Sequence, residues 1–342
     1  MKEIFDQEGT DGVILVDAEN AFNKLNRQVA LHNIQYLCPN FATVLINTYR
    51  LPARLFLVGG GEIPSIEGTT QGDTLAMPFY GISLRPLINK LNHQWTQVHQ
   101  VWLADDATGA GSLSNLKKWW KLVEEEGKKY GYVVKPSKSW LILKHPESLQ
   151  AAETLFADTS IQITTEGKRH LGAAIGTTQF KNYFIKDKVD EWCKRLTKLA
   201  NFAKTHPHAA YSGYILGEQH KYTYFLRTLP NISDILKPLD DIIDHELIPA
   251  LFGTAISPNE REILSLPIRE GGLGLRSLSQ TSDQTYTASK NMTLPLRKQI
   301  ETQNPNLPNP DEVKDANSRT HIRLNEKPRK NTITSSQDHP PG

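Results

Sequence analysis

Residues 101–111 have the sequence VWLADDATGAG, in which two adjacent acids stand between an apolar run and a stretch of small residues. Short apolar runs bounded by turn-forming residues are typical of strands, so this segment predicts a hairpin whose tip carries Asp105 and Asp106. A further acid, Asp17, ends the apolar run VILV at 13–16. Two strands that deliver carboxylates to one place predict a site for hard divalent cations such as Mg²⁺.

A second acidic doublet, Asp240–Asp241, lies in a segment whose apolar residues recur at helical spacing. At ordinary composition a chain of this length contains roughly one such doublet by chance. We therefore interpret the second pair as part of a solvated helix face. We interpret the first pair, Asp105–Asp106, differently because of the sequence segments that surround it.

Length and composition limit the class of protein. The chain has 342 residues, 38% hydrophobic and 22% charged, with a formal charge of +2, which fits one large or two ordinary globular domains. No apolar run is long enough to span a bilayer, and the acidic N-terminus is not a signal peptide. Cys38 and Cys193 stand far apart, which indicates a reducing compartment without a disulfide framework.

The first 178 residues predict an α+β fold. Apolar runs predict strands at 13–16 and 139–143, and Gly-containing runs predict hairpins at 55–63 and 161–176, the latter turning at Glu166–Gly167. Helical spacing is predicted over about 20–49, 75–91 and 114–130. Strands and helices therefore alternate irregularly along this part of the chain.

After residue 182 the apolar residues recur at helical spacing. Helices predicted at about 182–205, 208–227 and 232–247 would form a small bundle. From 281 to 342 the apolar residues become sparse, and this stretch contains seven Pro. We predict a disordered tail there.

Taken together, five segments resemble a reverse transcriptase of a retroelement over roughly 10–275. They are VDAENAFNKLNR at 16–27, EGTTQGDTLAMPFYG at 67–81, WLADDATGAG at 102–111, YGYVVKPSKSWLIL at 130–143 and RHLGAAIG at 169–176. They occur in the family's order. A later segment, GGLGLRSL at 271–278, looks like one found downstream of the thumb in such polymerases.

The resemblance implies the domain organisation of a right-hand polymerase. Residues 1–178 would be the palm, an antiparallel sheet with helices, with the fingers largely absent. Residues 179–255 would be an all-helical, thumb-like domain, 256–280 a connector and 281–342 the disordered tail.

The resemblance also implies the catalytic groups. Asp17, Asp105 and Asp106, with the backbone carbonyl of Ala18, would hold two Mg²⁺ ions, with Mn²⁺ as the alternative ion. Such a pair of ions lowers the pKa of the primer 3′-hydroxyl and neutralises the triphosphate and the leaving pyrophosphate. Lys138 would protonate the pyrophosphate or neutralise its charge.

An aromatic residue, Phe22, lies five positions after Asp17 and bears on the type of nucleotide that would be bound. In the family, an aromatic residue at the place of Phe22 packs under the sugar and leaves no room for a 2′-hydroxyl. This implies a DNA product. An RNA-dependent RNA polymerase is the disfavoured alternative, because those enzymes usually lack this aromatic residue and commonly have Gly in place of Ala104.

Two further segments are implied to contact substrates. Gln71 and Gly72 match the family's contact to the nucleotide and template, where Gly would permit a close backbone approach. The family usually has Pro where this chain has Thr74, which changes the local rigidity. The hairpin that grips the primer would contain His170, Leu171 and Gly172.

The implied partners are an RNA template, a DNA primer and deoxynucleoside triphosphates, with no membrane. In the family a fingers region with basic residues precedes the first Asp, whereas only a short stretch precedes Asp17. This predicts a truncated reading frame, unless a partner chain or a missing segment supplies the fingers. Two hypotheses follow: an RNA-directed DNA polymerase, or a catalytically inactive retroelement remnant that at most binds nucleic acid.

Overall fold

The computed structural model describes residues 1–94, 97–304, 306 and 308–326. This part of the chain divides into two compact units, the first with Met1–Lys181 and Gln299–Asn306, the second with Asn182–Lys298 and the residues described from 308 onward. All strands described belong to the first unit. No helix of the described chain combines the length and the apolar character needed to cross a bilayer.

The first unit mixes strands and helices, as the α+β prediction requires. The strands are β1 (Gly12–Val16), β2 (Ala53–Phe56), β3 (Glu62–Ser65), β4 (His99–Leu103), β5 (Asp106–Gly111), β6 (Trp140–Leu143), β7 (Gln162–Thr164), β8 (Gly167–His170) and β9 (Ala173–Gly176). The helices are α1 (Lys2–Asp6), α2 (Ala21–Lys24), α3 (Arg27–Leu37), α4 (Pro39–Tyr49), α5 (Ala76–Gln94), α6 (Leu113–Gly127) and α7 (Leu149–Leu155).

A five-stranded sheet with the order β4-β5-β1-β6-β7 forms the centre of this unit. The central strand β1 pairs antiparallel with β5 on one side and with β6 on the other. Its sequence, GVILV, is apolar at four of five positions, which suits a strand that is buried on both faces. The strand predicted from this run is confirmed, and it positions the acid that follows it.

The sheet is mixed and not wholly antiparallel. Strand β7 pairs parallel with β6, and α7 lies between these two strands in the chain. A parallel pair needs a crossover connection, and a helix is the usual one. The antiparallel sheet predicted from the resemblance is therefore wrong at this edge.

Two hairpins lie outside the main sheet. The hairpin predicted at 55–63 is confirmed as β2–β3. The one predicted at 161–176 is wrong in its turn. Residues 162–164 belong to the main sheet, and β8 and β9 turn at Leu171–Gly172, where both residues have positive φ, 48° and 85°. A Leu in the left-handed region is uncommon, so turn-residue statistics favour Glu166–Gly167 instead.

All regular secondary structure of the second unit is helical in the part that the structure describes. Its helices are α8 (Thr178–Ala203, which begins in the first unit), α9 (Pro207–Gly213), α10 (Gln219–Thr228), α11 (Ser233–Ile242), α12 (Ile248–Phe252), α13 (Pro258–Ser265), α14 (Leu278–Met292), α15 (Leu294–Thr302, which ends in the first unit) and α16 (Pro310–Glu326). Single π-helical turns join α9 to α10 and α11 to α12. The three helices predicted after residue 182 are therefore present.

The prediction of a disordered tail from residue 281 is wrong over 281–292, 294–302 and 310–326, which are helical. Residues 327–342 lie outside the described residues. Helix α14 packs against α10 and α11. Its buried face uses Leu278, Ser282 and Ala288. Two of these three side chains are small, so close packing here does not require the apolar residues on which the prediction relied.

Candidate active site

The pairing of β1 with β5 brings two of the predicted acids opposite each other. The antiparallel register ends at Val16↔Ala107, and the next position outward on each strand is Asp17 and Asp106. Asp105 belongs to the two-residue turn left between β4 and β5, whose last pair is Leu103↔Asp106. All three side chains are half-buried or exposed. The fold therefore gathers the three carboxylates at one end of the sheet, where solvent reaches them.

The turn that carries Asp105 has an unusual backbone. Ala104, its first residue, has a φ of 54°, in the left-handed region where Gly is the default residue of tight turns. A non-Gly residue in this region costs roughly 1–2 kcal/mol. The rest of the fold must therefore hold the turn in place.

Tyr132 is one of the groups that hold this turn. Its hydroxyl donates a hydrogen bond to the backbone carbonyl of Asp105 at 2.9 Å, its ring packs on Trp102 with centroids 5.0 Å apart, and the side chain is 1% exposed. Tyr132 is not among the site residues predicted from the sequence. It lies inside the quoted segment 130–143, but nothing in the chain's local pattern relates it to a turn 27 residues earlier.

Asp17 is anchored through its backbone. Its amide donates to the hydroxyl of the buried Ser139 at 3.0 Å, and its carbonyl accepts from the amide of Lys135 at 2.8 Å. Ala18 forms an isolated bridge with Val134. The two flanking backbone bonds, Lys135 to Asp17 and Glu19 to Val133, do not use the carbonyl of Ala18.

The three acids interact electrostatically. The pKa of Asp106 is raised, first by partial desolvation and then by the negative charges of Asp105 and Asp17. Carboxylates whose charges act on a neighbouring carboxyl group in this way form a region of negative potential. Such a region attracts cations.

Carboxylate oxygens are the ligands that Mg²⁺ prefers, so the donor chemistry fits this ion. Among the residues that the structure describes, however, no group of three or more His, Cys, Asp or Glu side chains is arranged to hold a metal ion. The two-ion site therefore stays a prediction.

Phe22 lies on α2, directly after the loop that follows Asp17. Its ring is half-buried and stacks on the ring of Tyr80 with centroids 4.6 Å apart and an interplanar angle of 27°. The aromatic side chain predicted to select the nucleotide sugar is thus supported from below by a second aromatic ring. Its role in selection stays a prediction.

The segment from 65 to 69 is bound tightly to the region of Phe22. Arg27, which is 5% exposed, donates to the backbone carbonyls of Ser65 at 2.8 Å, Glu67 at 2.8 Å and Gly68 at 3.0 Å. Gly68 has a φ of 69°, and a Cβ there would lie 2.4 Å from the carbonyl oxygen of Phe22. Arg27 is not among the site residues predicted from the sequence, although it is the last residue of the segment VDAENAFNKLNR at 16–27.

Gln71 and Gly72 form an exposed turn before α5. Gly72 has a φ of 91°, with nothing within 4 Å of the position of a Cβ. The left-handed backbone of Gly72 is one that Gly adopts at no steric cost, and its predicted close approach to the nucleotide and template stays a prediction.

The next residue, Asp73, stabilises the start of α5. One of its carboxylate oxygens accepts from the amide of Leu75 at 2.9 Å, and the other accepts from the hydroxyl of Tyr49. The hydrogen bond from Tyr49 lowers the pKa of Asp73. The segment is held in this way although the family's Pro is absent.

Lys138 lies on a short 3₁₀ turn, Pro136–Lys138, and its side chain is exposed. The turn is connected to the acidic end of the sheet indirectly, because the amide of Lys138 donates to the carbonyl of Lys135 and the amide of Lys135 donates to the carbonyl of Asp17. A contact between the Lys138 ammonium group and the acids is not among the observed interactions. Its role stays a prediction.

The predicted primer-grip residues occupy the end of the β8–β9 hairpin. Burial lowers the pKa of His170 to about 4, so this side chain is neutral near pH 7. Leu171 is 41% exposed at the turn, beside Gly172. A neutral imidazole and an exposed apolar side chain are suited to contact with a sugar or base, and this role also stays a prediction.

No family model matches the chain, and no curated protein matches it. Among solved structures it is similar to apo telomerase from Candida tropicalis, with a TM-score of 0.43 and 13% identity, over 88% of this chain and 54% of that one. It is also similar to telomerase from Candida albicans in complex with a TWJ fragment of telomeric RNA, with a TM-score of 0.38 and 10% identity, over 90% and 53%. The chain thus spans about half the length of each. Similarity at this level assigns no activity.

Proposed function

We propose that this chain is an RNA-directed DNA polymerase domain of a retroelement, which transfers a nucleotide to a primer 3′-hydroxyl. The observation that carries the proposal is the acidic end of the sheet, where Asp17 lies opposite Asp106 and Asp105 occupies the adjoining turn. The reaction forms a bond between the primer 3′-oxygen and the α-phosphorus and breaks the bond to pyrophosphate. Positioning and charge neutralisation supply nearly all of the catalysis in such transfers.

The three carboxylates and the carbonyl of Ala18 are the groups that we propose to hold two Mg²⁺ ions. When bound, the ions would lower the pKa of the attacking hydroxyl and neutralise the phosphates. Residues around the three carboxylates have a different role, because they keep the carboxylates in position. Tyr132 does this for the turn of Asp105, and Ser139 does it for the backbone of Asp17.

We propose that Phe22, Gln71 and Gly72 bind the incoming deoxynucleotide. The proposal is supported by the bonds between the segments that carry them. The amide of Thr69 donates to the carbonyl of Phe22 at 2.7 Å, and Arg27 binds the adjoining loop. The sugar-contacting ring and the nucleotide-contacting turn are therefore parts of one connected substructure, as preorganised binding requires.

The remaining assignments concern the product and the primer. We propose that Lys138 neutralises the leaving pyrophosphate and that His170, Leu171 and Gly172 hold the primer strand. The template would be RNA and the primer DNA. The exposed position of Lys138 leaves its long side chain free to reach a bound triphosphate.

A second candidate function is a catalytically inactive remnant that at most binds nucleic acid. The observation that favours it is the lack of a preformed metal cluster of three or more ligands among residues 1–94, 97–304, 306 and 308–326. The two candidates differ in whether the carboxylates perform chemistry.

Primer extension tests the proposal. The assay uses an RNA template with an annealed DNA primer, deoxynucleoside triphosphates and Mg²⁺. The wild type and Asp241→Asn, an exposed acid outside the site, should both extend the primer, whereas the double variant Asp105→Asn/Asp106→Asn should not. Absence of extension in the wild type, with primer–template binding retained, would contradict the polymerase and support the remnant.

A further inference from the structure

Tyr80 of α5 lies directly under the ring of Phe22. The two rings stack with centroids 4.6 Å apart. Tyr80 is 1% exposed, whereas Phe22 is only half-buried. Tyr80 is therefore the inner ring of the pair, and Phe22 is the ring that a ligand can touch.

The hydroxyl of Tyr80 does not explain the position of the ring. Two other tyrosines of this unit use their hydroxyls as donors, Tyr49 to the carboxylate of Asp73 and Tyr132 to the carbonyl of Asp105. The hydroxyl of Tyr80 is buried without a hydrogen-bond partner in the described structure. A buried polar group without a partner is unfavourable, so contacts of the ring must hold this residue in place.

Tyr80 also lies close to the acidic end of the sheet. Burial raises its pKa, and the negative charge of Asp105 raises it further. The residue therefore stays neutral near pH 7. Its ring lies within the electrostatic reach of the acids and in contact with Phe22, so it links the proposed sugar-contacting ring to the proposed catalytic carboxylates.

We propose that Tyr80 is a positioning residue that fixes the ring of Phe22 and thereby sets the selectivity for deoxynucleotides over ribonucleotides. This inference rests on the proposed function. A ring that excludes a 2′-hydroxyl by contact must be held against displacement, because a small shift opens space for one oxygen atom. The buried ring of Tyr80 blocks the displacement of Phe22 toward the interior.

The first test is the ratio of kcat/KM for a deoxynucleotide to that for the matching ribonucleotide. Tyr80→Leu, with Phe22 intact, should lower this ratio at least about tenfold, the range in which steric discrimination of small groups operates. Tyr80→Phe keeps the ring and should restore the wild-type ratio. Because the two residues act together, Tyr80→Leu should lower the ratio little further in a Phe22→Ala background.

Phe79→Leu is the matched control. Phe79 is the neighbour of Tyr80 on α5, is fully buried and stacks on Tyr49 with centroids 4.8 Å apart. This variant loses a comparable aromatic contact away from Phe22, so its ratio should stay at the wild-type value. An equal fall of both rates in Tyr80→Leu, with an unchanged ratio, would overturn the inference.

A second measurement does not depend on activity. The ¹⁹F resonance of 4-fluorophenylalanine incorporated at position 22 should shift between the wild type and Tyr80→Leu, because the stacked ring shields the fluorine, and should shift little in Phe79→Leu. An unchanged resonance in Tyr80→Leu would overturn the positioning role even in an active enzyme. A shifted resonance in a chain that does not extend primers would support the positioning and would overturn only the polymerase and the selectivity derived from it.

Discussion

The two Asp doublets of this chain have the same sequence but different surroundings. Asp240, at the end of α11, is 8% exposed and accepts hydrogen bonds from the amides of Leu278 and Ser279 and from the hydroxyl of Ser277, at 2.7, 2.9 and 2.9 Å. Asp106 is exposed, and its pKa is raised by desolvation and by two like charges. The carboxylate of Asp240 has its oxygens bound by hydrogen bonds from the fold, whereas the carboxylate of Asp106 is repelled by its neighbours.

This difference indicates which carboxylate is structural and which is available for a ligand. The amides that Asp240 binds belong to the first turn of α14, where backbone N–H groups lack partners within the helix and carry a partial positive charge. Asp240 therefore attaches α14 to the bundle. The carboxylates at the end of the sheet gain no such compensation from one another, and a cation would supply it.

The largest expected effect is the loss of nucleotide transfer when the acidic end of the sheet is neutralised. Asp105→Asn/Asp106→Asn should reduce primer extension by about a thousandfold or more, because charge neutralisation dominates such catalysis. The thermal unfolding temperature should stay the same or rise, since repulsion between the acids is removed. A variant that loses activity together with a large drop in this temperature would contradict the ligand-binding role of the doublet.

The opposite result is expected at the other doublet. Asp240→Ala leaves the buried donors at the start of α14 unpaired and should lower the free energy of unfolding of the second unit by about 3 kcal/mol. Denaturant unfolding measures this change. Asp241→Ala is the matched control, because Asp241 is exposed, and should change stability by less than about 0.5 kcal/mol. Equal effects of the two substitutions would show that the bonds to Asp240 contribute nothing to stability.

Local sequence patterns predicted the strands that carry the acids, because short apolar runs such as GVILV leave few alternatives to a buried strand. The position of Asp17 after its strand and of Asp105 in a turn followed from the same pattern. The pairing of β1 with β5, which brings these acids together, depends on residues nearly a hundred positions apart. The acids were expected to meet, but no local pattern predicts which strands pair or in which register.

The interactions that hold the candidate site could not be predicted from local patterns. Tyr132, Ser139 and Arg27 act on backbone groups far away in the chain, and their residue types are unremarkable where they stand. Asp240 was interpreted as solvated, because its partners lie 37 to 39 residues later. Those partners lie in the segment 256–280, which the resemblance implied to be a connector, so no partner was expected there.

Titration with Mg²⁺ should distinguish the two Asp doublets by a smaller change, which is a gain in stability. If the acidic end of the sheet binds the ion only in the folded state, the wild type gains about 1.4 kcal/mol of stability at a free concentration about ten times the dissociation constant. Asp241→Asn should gain the same amount, whereas Asp105→Asn/Asp106→Asn should gain none. Thermal unfolding at increasing Mg²⁺ measures the gain. Identical responses of the wild type and the double variant would contradict the assignment of the ion to these acids.

The smallest expected effect is the pH dependence of stability that comes from Asp106. Its pKa in the folded state is raised above the ordinary value of 3.8, so the folded chain binds this proton more tightly than the unfolded chain. The resulting stability is present in full below the unfolded-state pKa and is lost as the pH rises through the folded-state value. Asp106→Asn cannot ionise and avoids this loss.

The Asp106→Asn variant should therefore be more stable than the wild type at pH 7, and the difference should decrease as the pH falls toward 3.8. Denaturant unfolding of both proteins between pH 3.5 and 7 measures the difference. A difference that does not depend on pH would show that neither desolvation nor the charges of Asp105 and Asp17 raise the pKa of Asp106 in the folded chain. The repulsion between neighbouring acids, which distinguishes Asp105–Asp106 from Asp240–Asp241, would then have no support.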